Sequence, residues 1–209
     1  MHLVEFLSLG GAVSWVIAIG GLLAFCVFLE RSFSLHRARI RYSDFLAGIF
    51  NVLGKGNIKE ALTLCDDTPG PVAYLVKVAI LYREADKADL HETLRDAAAA
   101  EISRMERRLV VITTVAQLAP LLGLLGTVLG ILDGAMILRA QGPLVQSANL
   151  LDGLLLALST TAVGLAVAIP CYGAFNLLVI KIDRIVLDME RTRYEMVAFL
   201  KGIRRREEQ

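Results

Sequence analysis

Residues 109–132 read LVVITTVAQLAPLLGLLGTVLGIL, and residues 154–180 read LLLALSTTAVGLAVAIPCYGAFNLLVI. Neither contains an Asp, Glu, Lys, Arg or His. About 20 apolar residues in a helix cross the hydrocarbon of a bilayer, so each segment is long enough to span one. The few polar residues distinguish the pair. At 100° per residue Thr113, Gln117, Pro120 and Thr127 fall within about 80° of one another, and Thr161, Ala168, Tyr172 and Asn176 share a similar arc. A hydroxyl or amide turned to lipid has no water to bond, so both faces are expected to point at protein or at a wet cavity. Gly126, Gly130 and Gly134 recur every fourth residue on another face, where missing side chains let a neighbouring backbone come close.

Composition agrees with a membrane chain. A mean hydropathy of +0.59 over 209 residues, 56% of them hydrophobic and 21% charged, means that charge is segregated along the chain and not spread over a globule. A net charge of +1 gives no reason to expect nucleic acid. Cys26, Cys65 and Cys171 are isolated, with neither a disulfide framework nor a CxxC metal pattern, and read as small packing residues.

Met1 to Leu9 lacks the basic stretch of a signal peptide, so no cleavage is expected. Gly10 to Leu29 is a first apolar run with Trp15 near one interface, closed by Glu30 and Arg31. Arg31, Arg37, Arg39 and Arg41 place its far end in the cytoplasm by the positive-inside rule. Between Arg31 and Arg108 the chain is soluble in character: Gly54 and Gly56 separate two helical patterns, and Asp66 to Pro71 forms a turn cluster. Val72 to Arg83 and Asp89 to Arg108 read as further helices of a hairpin outside the membrane. Arg104, Arg107 and Arg108 put the start of the second span inside, while the stretch from Asp133 to Asp152 carries one basic residue, Arg139, and reads as a loop on the far side. Lys181, Arg184, Arg191, Arg193, Lys201 and Arg204 to Arg206 keep the tail inside. The expectation is an all-α integral membrane protein with three spans, N-terminus out and C-terminus in. Its parts are residues 1–30 with the first span, a cytoplasmic helical region 31–108, the second and third spans 109–180 around a loop 133–153, and a C-terminal helix 181–209.

No turn residue separates the third span from the tail. Ile182, Met189, Met196 and Ile203 are spaced by seven, with Ile185 and Phe199 in the companion position and Thr192 the weak link. That is a heptad seam on a helix continuing out of the membrane, and it needs a partner in its own chain, in other copies, or in both.

No enzyme constellation emerges. Ser159-Thr160-Thr161 has no His nearby, His2, His36 and His91 are scattered, and no glycine-rich phosphate loop or metal-ligand cluster is present, so neither catalysis nor a cofactor is expected. Ionisable groups inside a membrane are costly and mark proton or ion relays. The two segments supply none, so a carboxylate for proton transfer must come from another chain; Thr127, Thr160 and Thr161 can bond such a group but cannot titrate.

Leu122 to Ile131 (LGLLGTVLGI) and Thr160 to Pro170 (TTAVGLAVAIP) resemble the two signature helices of the MotA/TolQ/ExbB proton-channel family, closest to ExbB and TolQ. Gly56 to Leu62 (GNIKEAL) with Pro69-Gly70-Pro71 resembles the cytoplasmic part of the same members. The resemblance implies a bacterial inner-membrane subunit, present in five copies around a pore that holds the single helices of an ExbD- or TolR-like partner. That partner's membrane aspartate carries the proton, and a TonB- or TolA-like protein receives the work. The family's pore-facing threonines correspond to Thr127 and Thr161, and the wider pore-lining set is Thr113, Gln117, Thr160 and Asn176. One position departs: where many ExbB and TolQ sequences carry a glutamate, five residues before the second pore threonine, this chain has Leu156. Two other readings stand beside the proton-driven motor subunit: a nonconducting scaffold ring, which Leu156 favours, and a flagellar-type stator, which three spans instead of four disfavour.

Overall fold

The computed structural model describes residues 11–38, 42–84, 87–141 and 147–207; the N-terminal stretch, Arg39 and Arg41, and residues 142–146 of the connection lie outside them. The described residues form α1 (Gly11–Ala38), α2 (Tyr42–Gly54), α3 (Ile58–Asp67), α4 (Pro71–Leu81), α5 (Lys87–Glu106), α6 (Leu109–Gln141) and α7 (Ser147–Glu207), with no strand among them. Three helical stretches are long and apolar enough to cross a membrane: Gly11–Leu35, Leu109–Arg139 and Gly153–Ile203. The chain is a multi-pass, all-helical membrane protein.

One expectation is corrected. The stretch read as a loop over residues 133–153 is helical at both ends, with α6 running to Gln141 and α7 starting at Ser147. From Asp133 to Gln141 the sequence holds no proline or glycine pair to break a helix, and the described helix runs through Gln141. Loss of hydropathy at Asp133 marked the end of the apolar segment, and the helix outlasts it.

Two compact units emerge, Met1–Glu30 with Arg108–Leu177, and Arg31–Arg107 with Leu178–Gln209. In the first, Ile17, Ala119, Val163 and Ala168 form a buried cluster, flanked by Val13, Leu122 and Val167. Leu22, Phe25, Leu121, Leu124, Ile131, Leu165 and Ile169 point outward, each more than 45% exposed. So much outward apolar surface calls for a lipid or protein environment.

The second unit is built on punctuation. Gly56, at φ +78°, closes the turn between α2 and α3, where the Asn57 amide donates to the Val52 carbonyl at 3.2 Å. Gly70, at φ +132°, precedes Pro71, which opens α4 where its missing N–H costs nothing. Both glycines occupy backbone space that other residues rarely adopt. Asp66 and Lys77 tie α3 to α4 at 2.5 Å. The seam of the tail is satisfied within the chain: Ile182, Ile185, Met189, Thr192, Met196 and Leu200 are buried in this unit. Phe199 stacks on Phe50 with centroids 4.3 Å apart, and the Tyr42 hydroxyl donates to Glu195.

Arg31 has a structural task that the sequence did not announce. Its Nη2 donates to the carbonyls of Arg104 and Met105 at 3.1 and 3.2 Å, in the last turn of α5. The final carbonyls of a helix lack intrahelical donors and carry the negative end of the helix dipole, so a guanidinium there both bonds and neutralises.

Candidate functional site

The site grows from the contact between α6 and α7 inside the first unit. Small residues meet along it at helical spacing. A Cβ added at Gly126 would fall 2.5 Å from the Thr160 side chain, one at Gly130 2.8 Å from the Gly153 carbonyl, and one at Gly164 2.6 Å from the Ala119 carbonyl. Gly153 in turn faces Gly130 and Gly134, and Gly123 faces Thr160, Thr161 and Gly164. Of the three glycines expected to admit a neighbouring backbone, Gly130 meets that of the next span, Gly126 meets the Thr160 side chain, and a Cβ on Gly134 would meet nothing within 4 Å. Sequence reading missed Ala119 and Gly123 on α6 and Gly153, Ala157 and Gly164 on α7 as the rest of the seam; their own three- and four-residue spacing was the available signal.

The threonines divide by position. Thr160 is 1% exposed, sits on Gly126, and donates to its own helix at the carbonyls of Ala157 (2.9 Å) and Leu156 (3.1 Å). It forms the floor of the seam. Thr161 and Thr127 are half-buried at its rim. Thr161 donates across the seam to the Gly123 carbonyl at 3.2 Å and shares that hydrogen with Ala157 at 3.4 Å. In an uninterrupted α-helix the Gly123 carbonyl is also the acceptor for the Thr127 amide, so both rim threonines converge on one carbonyl. Thr127 Oγ1 donates to Leu124 at 2.5 Å. Each rim hydroxyl therefore has its hydrogen committed to backbone and its lone pairs left as acceptors.

Further along the same faces, Thr113 is half-buried while Gln117 and Asn176 are exposed, and neither amide bonds to a described residue. Inside a span such groups need a polar partner or water. Leu156 lies elsewhere: its Cδ1 is 3.6 Å from the place a Cβ would take on Gly11 of α1, and five residues of helix turn it about 140° from Thr161. No described residue between Leu109 and Leu132 or between Leu154 and Ile180 is an acid or a base.

Three apolar helices, a glycine-lined pairing of the second and third, and a polar rim beside that pairing define a multi-pass membrane subunit. A model of the MotA/TolQ/ExbB proton channel family matches residues 69–191, and the chain belongs to that family. It is 30% identical over 198 residues to biopolymer transport protein exbB1 of Vibrio cholerae, covering 88% of this chain and 86% of that protein. It is 29% identical over 180 residues to a putative biopolymer transport protein ExbB homolog of Methanothermobacter thermautotrophicus, covering 86% of this chain and 63% of that one. To the Tol-Pal system protein TolQ of Haemophilus influenzae it is 36% identical over 110 residues, 50% of this chain and 47% of that protein. The chain thus spans less than two thirds of the length of two of these three relatives.

Proposed function

We propose that this chain is the wall subunit of a proton-driven motor in a bacterial inner membrane, N-terminus outside and C-terminus inside. Copies of it, five in the family's pattern, surround the single helices of an ExbD- or TolR-like partner whose membrane aspartate carries the proton, and the work goes to TonB-type uptake or a Tol-type envelope system. The observation that carries the reading is the rim made by Thr127 and Thr161, which offers lone pairs to a guest and has no proton of its own to exchange. A protonated carboxyl can donate to such oxygens, whereas a carboxylate finds only acceptors there and keeps its full desolvation cost. Protonation thus lets the guest acid pass the rim, and deprotonation holds it back. One proton crossing 100 mV releases about 2.3 kcal/mol, enough to bias a step of rotation.

The nonconducting scaffold remains the second reading, and Leu156 is the residue that favours it. That side chain packs beside Gly11 and away from the Thr161 face, so replacing an acid there removes nothing from the rim. The test is co-purification with a single-span partner bearing a membrane Asp, followed by proton flux in vesicles. Thr161→Val should leave assembly intact and reduce flux at least tenfold, while Thr161→Ser should retain it. Full flux in Thr161→Val sinks the rim as the proton site, and assembly without flux in the unsubstituted pair supports the scaffold.

A further inference from the structure

A cleft of about 450 Å³ opens in the second unit between α5 and α7, lined by His91, Glu92 and Arg95 from the first and by Arg193 and Tyr194 from the second. It belongs to none of the surfaces used above, and its chemistry is out of balance. The Arg193 side chain is only 12% exposed. Its hydrogen bonds to described residues all leave from Nη2, to Glu190 at 3.1 Å and to the Tyr194 hydroxyl at 3.4 Å. Its Nε is buried with no hydrogen-bond partner among the described residues. A guanidinium has five N–H donors and no acceptor, and a donor left buried and unpaired keeps its full desolvation cost. Such orphans call for an ion or a water that completes them.

The rest of the cleft says which. Arg193 is held in place from two sides, by Glu190 and by the Tyr194 ring, whose centroid lies 5.1 Å from the guanidinium carbon. Arg95 brings a second guanidinium to the same opening, with no ion pair to a described residue. His91 meets the Tyr194 ring edge-on at 6.1 Å and adds a ring N–H. Two cations lining one opening repel each other, and an oxyanion between them turns that repulsion into charge-assisted bonds with planar, forked donors. Glu92, also in the lining, opposes the anion and limits the charge that the cleft accepts.

We infer that this cleft binds a small soluble oxyanion of the phosphate type, bridging Arg95 and His91 of α5 to Arg193 of α7. A lipid headgroup is the other source of that chemistry, and distance disfavours it. Arg193 lies beyond Ile180, the last residue of the apolar segment, by about 20 Å of helix at 1.5 Å per residue. That is more than twice the ~8 Å over which surface charge is felt at physiological salt. Since α5 leads into the second span and α7 continues the third, a bound anion ties together the two helices that leave the rim. This site stands whether or not the proton-motor reading does.

The experiment uses the full-length chain in zwitterionic detergent, with inorganic phosphate exchanged for chloride at constant ionic strength and followed by ³¹P line broadening and thermal unfolding. Phosphate should broaden saturably and raise the midpoint by several degrees where chloride does not. Arg95 is a surface residue, so Arg95→Gln folds, and it should weaken binding at least tenfold. Glu92→Gln should tighten it several-fold. A merely structural role does not give two neighbouring neutralisations of opposite sign. Absence of saturable broadening, equal behaviour of both variants and the parent chain, or protection that appears only when anionic lipid is added would each overturn the assignment.

Discussion

Gly164→Ala adds one methyl group where the third span touches the second. Its Cβ would stand 2.6 Å from the Ala119 carbonyl oxygen and 3.1 Å from the Gly123 Cα. Both are backbone atoms of α6, so no side-chain rotation relieves the clash; the helices must separate by about 0.8 Å to restore ordinary contact. A gap of 0.5–1 Å forfeits roughly a quarter to a half of the dispersion energy of each atom pair it opens, and overpacking of this kind costs about 1–3 kcal/mol. Alanine is also the better helix former, by about 1 kcal/mol in water. Gly173→Ala, in the same helix, measures that gain alone, because a Cβ there meets nothing within 4 Å. The expected outcome is a Gly173→Ala protein as stable as the parent or slightly more so, and a Gly164→Ala protein less stable than its control by about 1–3 kcal/mol. Denaturant unfolding in mixed micelles, read by circular dichroism, decides it. The separation should also lengthen the Thr161 to Gly123 hydrogen bond, so flux with a partner should fall as well. Equal unfolding midpoints for the two alanine variants would refute the close seam.

Arg31→Gln removes the cation at the end of α5; hydrogen exchange in its last turn should accelerate ten- to hundredfold, the equivalent of about 1.5–3 kcal/mol for hydrogen bonds to a charged group, and unchanged protection would dismiss the cap. Burial and the hydrogen bond to Glu195 push the Tyr42 hydroxyl up to about 12. Because the folded value lies above the ordinary 10.0, its contribution is complete below pH 10 and is lost as pH rises toward 12, so Tyr42→Phe should cost stability at pH 7, where the bond to Glu195 is intact, and flatten the alkaline loss of stability between pH 10 and 12. Burial likewise pushes the Cys65 thiol up to about 11, with Asp66 adding to it. Maleimide should therefore leave Cys65 unlabelled at pH 8 until denaturant opens α3 and α4; prompt labelling of native protein would contradict its burial.

The three spans, the turns at Gly56 and Gly70 and the buried face of the tail were legible because each follows from local rules: a run of apolar residues, a residue that tolerates positive φ, a seven-residue spacing. What was not legible depends on register between segments far apart in the chain. Helical phase places Thr161 on a polar face, yet nothing in it says that Gly123 will lie opposite, since an antiparallel pair can slide by a turn and keep both faces. The register becomes readable only when the two small-residue series are aligned, Ala119, Gly123, Gly126 and Gly130 running one way against Gly164, Thr160, Ala157 and Gly153 running the other. Arg31 was hidden for a similar reason: as a charge after an apolar run it reads as a topology signal, and its bonds to α5 depend on a packing that composition does not encode. The end of α6 escaped because hydropathy and helicity end at different residues.

The same seam explains why one threonine of the Ser159-Thr160-Thr161 run differs in kind from its neighbour. Thr160 faces a glycine, and its hydroxyl is absorbed by its own helix. One residue on, a rotation of about 100° carries Thr161 to the edge of the contact, where its hydroxyl can reach the neighbouring helix and still leave its lone pairs toward the open side. Glycine at position 123 is what makes this possible, because any side chain there would hold the helices apart at the carbonyl that Thr161 needs. Close packing and polar chemistry are thus one device: the seam positions the rim.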